Sequence, residues 1–329
     1  MSTSETFVLP PSDIWQARAR LKGLVLHTPL VYSQALSRRT GCEIYLKMEC
    51  WQVCGCFKVR GAINMVSTLS EAEKSRGLVT TSSGNHGIAL AYAASLFGHP
   101  PTKVFLPQDA DVKKLEKLRD LGAEIVLYGK NFLEAYDRAQ QYTAETGATY
   151  VHSHDHPLII AGQGTIGLEI MEDLPDVQAV ITPEGGGGLL SGVATAVKSA
   201  AAGVRVFGVE PTAAPAAYLS LRDGVRYERI DVRPSVAHGL LGGFGEWPFK
   251  IVPRLVERIT VVEDEEIIEA MRAFQQDEQL MVEGAASVGL AALLSGKIDL
   301  RGQKVALVIT SRNIDADWYN RLIVQTSGK

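Results

Sequence analysis

The chain has 329 residues, 46% hydrophobic and 21% charged, and 33 Lys and Arg against 37 Asp and Glu give a net charge of −4 with His neutral. That is an ordinary globular composition, long enough for about two domains. The mildly acidic balance argues against a nucleic-acid partner. No run of about 18 apolar residues is present to cross a membrane. The N-terminus has neither the basic nor the apolar region of a secretory signal, so a cytoplasmic location is expected.

In chain order, Pro10-Pro11 precedes a helix predicted over Ser12–Lys22, with Ser12 as its N-cap. A strand follows at Glu43–Lys47. Cys42, Cys50, Cys54 and Cys56 crowd into this stretch. Their spacing lacks paired C-x2-C and a nearby His, so free thiols in a packed segment are expected, without disulfides or a metal. Then come a helix at Phe57–Ser67, a strand at Leu78–Thr81, an alanine-rich helix at His86–Phe97, a strand at Thr102–Leu106, a helix at Val112–Leu121 and a strand at Glu124–Leu127. The second half offers strands at Ala179–Thr182, Arg205–Glu210, Ile259–Val262 and Lys304–Ile309. Helices are predicted at Gly188–Ala202, Asp264–Gln276 and Ala286–Leu294. Apolar strands alternating with helices predict an α/β protein with parallel-rich open sheets and helices on both faces. In such sheets ligands bind in loops beyond the carboxyl ends of strands.

Three loops carry chemistry. Gly185-Gly186-Gly187-Gly188 joins a strand to a helix. Four successive glycines are entropically costly and suit backbone N–H groups that must approach an anion at the positive end of a helix. A flexible turn is the alternative. No Gly-Lys-Ser/Thr follows, and the spacing is not G-x-G-x-x-G, so a phosphate held here belongs to neither ATP nor NAD. Ser82-Ser83-Gly84-Asn85-His86-Gly87 offers hydroxyls, an amide and free N–H groups at another helix start, which suits a carboxylate; an ordinary Ser N-cap is the alternative. Lys58, between Phe57 and Val59, sits in a helix's first turn, the wrong end for the dipole. Such a lysine is usually solvent-facing, but an apolar setting lowers its pKa and makes it a nucleophile. A phosphate site and an activated amine together describe pyridoxal phosphate.

Lys47-x-Glu49-x-x-Gln52-x-x-Gly55-x-Phe57-Lys58-x-Arg60-Gly61-Ala62, then Ser82 to Gly87, then Ala161-Gly162-Gln163-Gly164-Thr165, then the tetraglycine, occur in order across residues 24–315. This series resembles the threonine/serine dehydratase and serine racemase family, the fold-type II pyridoxal-phosphate enzymes with a tryptophan synthase β-like fold. The resemblance implies two α/β domains: a small one at 53–155, and a large cofactor-binding one made of 1–52 and 156–329. It implies that Lys58 is the Schiff-base lysine, that Phe57 packs on the cofactor ring and that Asn85 hydrogen-bonds its phenolic oxygen. Gly185, Gly186, Gly187 and Gly188, with the Leu189 N–H, would cradle the phosphate. Thr310 falls beside the pyridine nitrogen and Glu283 near the ring. Ser82, Ser83, Asn85 and His86 would hold the substrate carboxylate, and Ser83 matches the second base of racemases. A neutral hydroxyl at Thr310 would not hold a proton on the pyridine nitrogen, which favours β-elimination over transamination.

The implied reaction removes water from a β-hydroxy-amino acid and ends in a 2-oxo acid and ammonia. Two other readings are a racemase using Lys58 and Ser83 as opposing bases, and a non-catalytic cofactor-binding homologue, against which Lys58 and the tetraglycine argue. The chain departs from the family at several points. Cys56 stands where Ser is usual, Ser153-His154 where Pro-Asn is usual, His238 where an acid is usual, and Thr310-Ser311-Arg312-Asn313 replaces Ser-Gly-Gly-Asn. His154 and His238 are therefore candidate substrate-binding residues. Glu210 matches one ligand of the racemases' divalent cation, but Ala216 replaces the Asp partner, so no metal is assigned. The run Ile309 to Tyr319 resembles dehydratases of hydroxyectoine utilisation, thought to act on a hydroxylated diaminobutyrate. No regulatory region follows Thr310, so feedback by isoleucine through one is not expected. A homodimer is the expected assembly.

Overall fold

The computed structural model describes residues 8–82, 84–108 and 112–324. Its strands are β1 (Leu30–Ser33), β2 (Glu43–Lys47), β3 (Leu78–Thr80), β4 (Thr102–Leu106), β5 (Glu124–Leu127), β6 (Thr149–Tyr150), β7 (Ala179–Pro183), β8 (Arg205–Pro211), β9 (Arg258–Val262) and β10 (Lys304–Val308). Its helices are α1 (Pro11–Leu21), α2 (Gln34–Thr40), α3 (Lys58–Ser67), α4 (Glu71–Arg76), α5 (Asn85–Leu96), α6 (Val112–Asp120) and α7 (Phe132–Thr146). They continue with α8 (Pro157–Asp173), α9 (Gly188–Ala200), α10 (Ala216–Asp223), α11 (Glu246–Leu255), α12 (Asp264–Glu278), α13 (Gly284–Leu294) and α14 (Ala316–Val324).

The strands form two sheets, ordered β1-β2-β10-β7-β8-β9 and β5-β4-β3-β6. Among the described residues, β1–β2 at the edge is the only antiparallel pair of strands; the other strand pairs are parallel. The four-stranded sheet is contiguous in sequence, while the six-stranded sheet takes strands from both sides of it.

Alternation along the buried strands splits the large core in two. Ile181, Val305 and Leu307 face α12 and α13, where Ile267, Phe274, Val288 and Leu290 complete one cluster. Val180, Ala306 and Val308 face α8 and α9, where Ile166, Leu190 and Val193 complete the other. Helices thus cover both faces, as parallel sheets require.

The eight strands expected from apolar runs are all present within a residue or two. β1 and β6 were not expected; both are short, and β1 is held by pairing with β2. Ser12 does not cap α1. Pro10 takes the N-cap position with no side-chain bond, and Pro11 opens the helix, where its missing N–H costs nothing.

The long helix α8 contains Gly162, Gly164 and Gly167, each about 1 kcal/mol worse than Ala for a helix. Close packing explains all three: a Cβ at Gly164 would lie 2.9 Å from the Gly192 carbonyl of α9. A Cβ at Gly162 would lie 2.6 Å from Gly61 Cα of α3, and one at Gly167 would lie 2.9 Å from the Val193 carbonyl of α9.

Between α3 and α8 runs a buried ion network. Arg60 is fully buried. Its guanidinium donates to Glu49 at 2.7 and 2.8 Å, to Glu169 at 2.6 and 2.9 Å and to Thr165 at 3.1 Å. Lys47 adds a bridge to Glu169 at 2.7 Å. This explains why a lysine, two glutamates and an arginine occur in apolar surroundings: each charge is paired and hydrogen-bonded.

Candidate active site

Lys58 opens α3, whose N-cap residue Phe57 supplies no side-chain bond. The turn is held from outside: the Phe57 N–H donates to the Thr310 carbonyl at 3.1 Å, and Cys56 bridges to Ser311. Lys58 is half-buried. Its Nζ donates to the Ser153 carbonyl at 2.8 Å and lies 5.1 Å from the Phe57 ring centroid. Burial lowers its pKa from 10.5 to about 8, against the opposing pull of Cys56 and Glu184. The amine is thus partly neutral near neutral pH, as a nucleophile or base requires.

The tetraglycine leaves the end of β7 and enters α9. It is not a loose turn. A Cβ at Gly186 would lie 2.4 Å from the His154 ring, one at Gly187 2.2 Å from Pro248, and one at Gly188 2.6 Å from the His154 carbonyl. Gly187 also has φ +96°, a conformation that strains side-chain-bearing residues. Bare backbone therefore meets the N-terminus of a 13-residue helix, whose first N–H groups lack intrahelical partners. Leu189, buried among apolar neighbours, lies in that first turn.

Asn85 opens α5 after Gly84, which has no side-chain cap. The Ser82 hydroxyl accepts from the Gly84 N–H at 3.3 Å, and a Cβ at Gly87 would strike the Ser82 carbonyl at 2.1 Å. Ser83 lies outside the described residues. The His86 ring is buried and its Nε2 bonds the Val151 carbonyl at 2.9 Å, so its side chain ties α5 to the end of β6. Burial, then the Lys58 charge, lowers His86 to about 3. Asn85 Nδ2 donates to Glu283 Oε1 at 3.0 Å, and Glu283 is the N-cap residue of α13. Thr310 is buried just past β10.

His154 and His238 separate. His154 sits on the tetraglycine, its Nδ1 3.0 Å from Ser153 Oγ and its ring 4.4 Å from that of His152. Burial holds it neutral. His238 is exposed and its ring packs 4.9 Å from Trp318. Glu210 accepts from the Ala217 and Tyr218 N–H groups, each at 2.9 Å, capping α10. Among the described residues no three His, Cys, Asp or Glu gather as metal ligands. The four cysteines are free, and burial raises Cys54 to about 11 and Cys50 to about 12.

Two residues of this region had no role in the sequence reading. Glu184 lies beside Glu210, one residue beyond the Pro183–Val209 pair. It is buried with neither carboxylate oxygen hydrogen-bonded. Burial and then Glu210 raise its pKa well above the usual carboxylate value, against the opposing pull of Lys58. An acid directly before a glycine run was the available signal. Asn313, at the end of the Thr310-Ser311-Arg312 run, donates to Asn85 Oδ1 at 2.6 Å.

An amine of lowered pKa, a glycine bend at a helix start, and a polar edge of Asn85, Glu283 and Thr310 fit a planar aldehyde bearing a phosphate. Residues 21–311 match the pyridoxal-phosphate dependent enzymes. The chain belongs to that family. It is 46% identical to L-threonine ammonia-lyase of Thermotoga maritima over 94% of this chain and 77% of that one. It is 37% identical to L-threo-3-hydroxyaspartate ammonia-lyase of Saccharomyces cerevisiae over 96% of each. Maize serine racemase is a structural neighbour, with a TM-score of 0.89 and 31% identity over 97% of this chain and 98% of that one. The fold is that of the fold-type II members, and pyridoxal phosphate is the cofactor.

Proposed function

We propose that this pyridoxal-phosphate enzyme is an ammonia-lyase that takes water from a β-hydroxy-amino acid and yields a 2-oxo acid and ammonia. The observation that carries the reading is the Lys58 amine, enclosed beside the glycine bend with its pKa brought to about 8. Bound pyridoxal phosphate supplies the electron sink that makes the substrate's α-proton acidic. Lys58, as a neutral amine, takes that proton at Nζ. The N–H groups of Gly185–Leu189 hold the phosphate. The loop at 82–86, with Ser83 in it, holds the substrate carboxylate at the start of α5. Phe57 would pack against the ring, and Asn85, Glu283 and Thr310 would face its polar edge. Thr310, unlike a carboxylate, would not hold a proton on the ring nitrogen, which would favour elimination.

Residues 53–155 form the small domain in this reading, closing over substrate to exclude water, with 1–52 and 156–329 as the large one. The assembly is a homodimer in the cytoplasm. His154 and His238, polar where the family pattern differs, bear on the choice among threonine, serine, 3-hydroxyaspartate and a hydroxylated diaminobutyrate. The test is 2-oxo acid release across those four substrates. Release from at least one, abolished in Lys58→Ala, is expected. Inversion of configuration without oxo acid release would replace the lyase by a racemase with Ser83 as second base.

A further inference from the structure

Which way the Asn85 amide faces is decided by residues far from it in sequence. Cys54 sits in the middle of the short turn Val53–Gly55 with φ +65°, and its carbonyl oxygen can only accept a hydrogen bond. Asn313 Nδ2 donates to that carbonyl at 2.8 Å, which fixes the orientation of the Asn313 amide. The second N–H of the same nitrogen goes to Asn85 Oδ1 at 2.6 Å. With its oxygen engaged as acceptor, Asn85 must present its nitrogen on the other side. There Nδ2 donates to Glu283 Oε1 at 3.0 Å, an oxygen that also accepts from the Asn313 backbone N–H at 3.1 Å. The chain of donors thus runs one way, from Asn313 through Asn85 to Glu283. Gly55 leaves room for it: a Cβ there would press on Asn313 Oδ1 at 2.9 Å.

We propose that Asn313 is a positioning residue that locks the Asn85 amide with its N–H groups toward the cofactor ring. The inference rests on the reading of Asn85 as the partner of the ring's phenolic oxygen. That oxygen carries negative charge and needs a donor. A reversed amide would offer it a lone pair instead. Asn313→Asp removes the donor to Asn85 Oδ1 and lets the amide turn.

The test is a double-mutant cycle on the holoenzyme, read by the pH midpoint of the bound cofactor's visible absorption band and by cofactor Kd. Asn313→Asp is expected to move the midpoint by about one pH unit in the same direction as Asn85→Ala. In the Asn85→Ala background it is expected to add nothing. Asn313→Ser, which is smaller and neutral, is expected to shift the band the same way and serves if the aspartate variant does not fold. Equal shifts with and without Asn85, or no shift from either Asn313 variant, would overturn the proposal while leaving Asn85 at the ring. A band unmoved by Asn85→Ala overturns the assignment of Asn85, and the proposal with it.

Discussion

Lys58 shows how far one side chain's setting changes its chemistry. Its ordinary value of 10.5 falls to about 8 through burial, so the neutral fraction of the amine grows as pH rises through 8. Cofactor capture by the apoenzyme should therefore accelerate from pH 7 to 9 and then level off, measured by growth of the visible band. Lys58→Ala should give a colourless protein without oxo acid release. The linkage has a definite sign. Between about 8 and 10.5 the unfolded chain binds a proton at this residue that the folded chain does not, so its contribution to apoenzyme stability rises with pH across that window. His86, lowered to about 3 by burial, and His152, lowered to about 4, act at the other end. Each folded value lies below the unfolded 6.5, so their stabilisation is complete above pH 6.5 and is lost as pH falls toward 4. Denaturant titrations at a series of pH values should show a steeper acid loss in the wild type than in His86→Gln. The Lys58 motif was legible in the sequence as an amine between apolar neighbours. Its partner, the Ser153 carbonyl, was not, because the contact spans 95 positions.

The elements add a second layer. Helix α3 carries both Lys58 and Arg60, the latter fixed by five hydrogen bonds to Glu49, Glu169 and Thr165. Arg60→Met leaves buried Glu49 without its cationic partner and Glu169 with Lys47 alone, and should destabilise the protein by about 3–5 kcal/mol in urea unfolding. Gly162→Ala would drive a methyl to 2.6 Å from the Gly61 backbone, so α3 and α8 must part; overpacking of this kind costs about 1–3 kcal/mol. Gly186→Ala should leave the fold but lose cofactor, since a methyl 2.4 Å from the His154 ring distorts the bend. Equilibrium binding of pyridoxal phosphate to that variant checks it. Helix α8 itself was not predicted. Its glycines read as loop residues locally, and only the neighbouring helices give them their purpose.

At the scale of the whole molecule, the loops after β3 and β7, about 100 residues apart in the chain, meet around His154, which packs on Gly186 and lies near enough to His86 and Lys58 to feel their charge. Closure of the 53–155 unit should make the holoenzyme more compact in X-ray scattering when an unreactive amino-acid analogue is added; unchanged scattering would argue against it. Of the two histidine departures, the exposed ring of His238 packs on Trp318, while the buried ring of His154 packs on the glycine bend. Composition, strand periodicity and four ordered motifs were enough to set the fold class and the cofactor, and they singled out Lys58 as the candidate amine, because each depends on local pattern or on residue types with few uses. The direction of the Asn85 amide, the raised pKa of Glu184 beside Glu210, and the lowered pKa of Lys58 were decided only by tertiary structure. Each arises from groups distant in sequence that share one buried, low-dielectric space, where pairing and charge depend on neighbours that folding alone brings together.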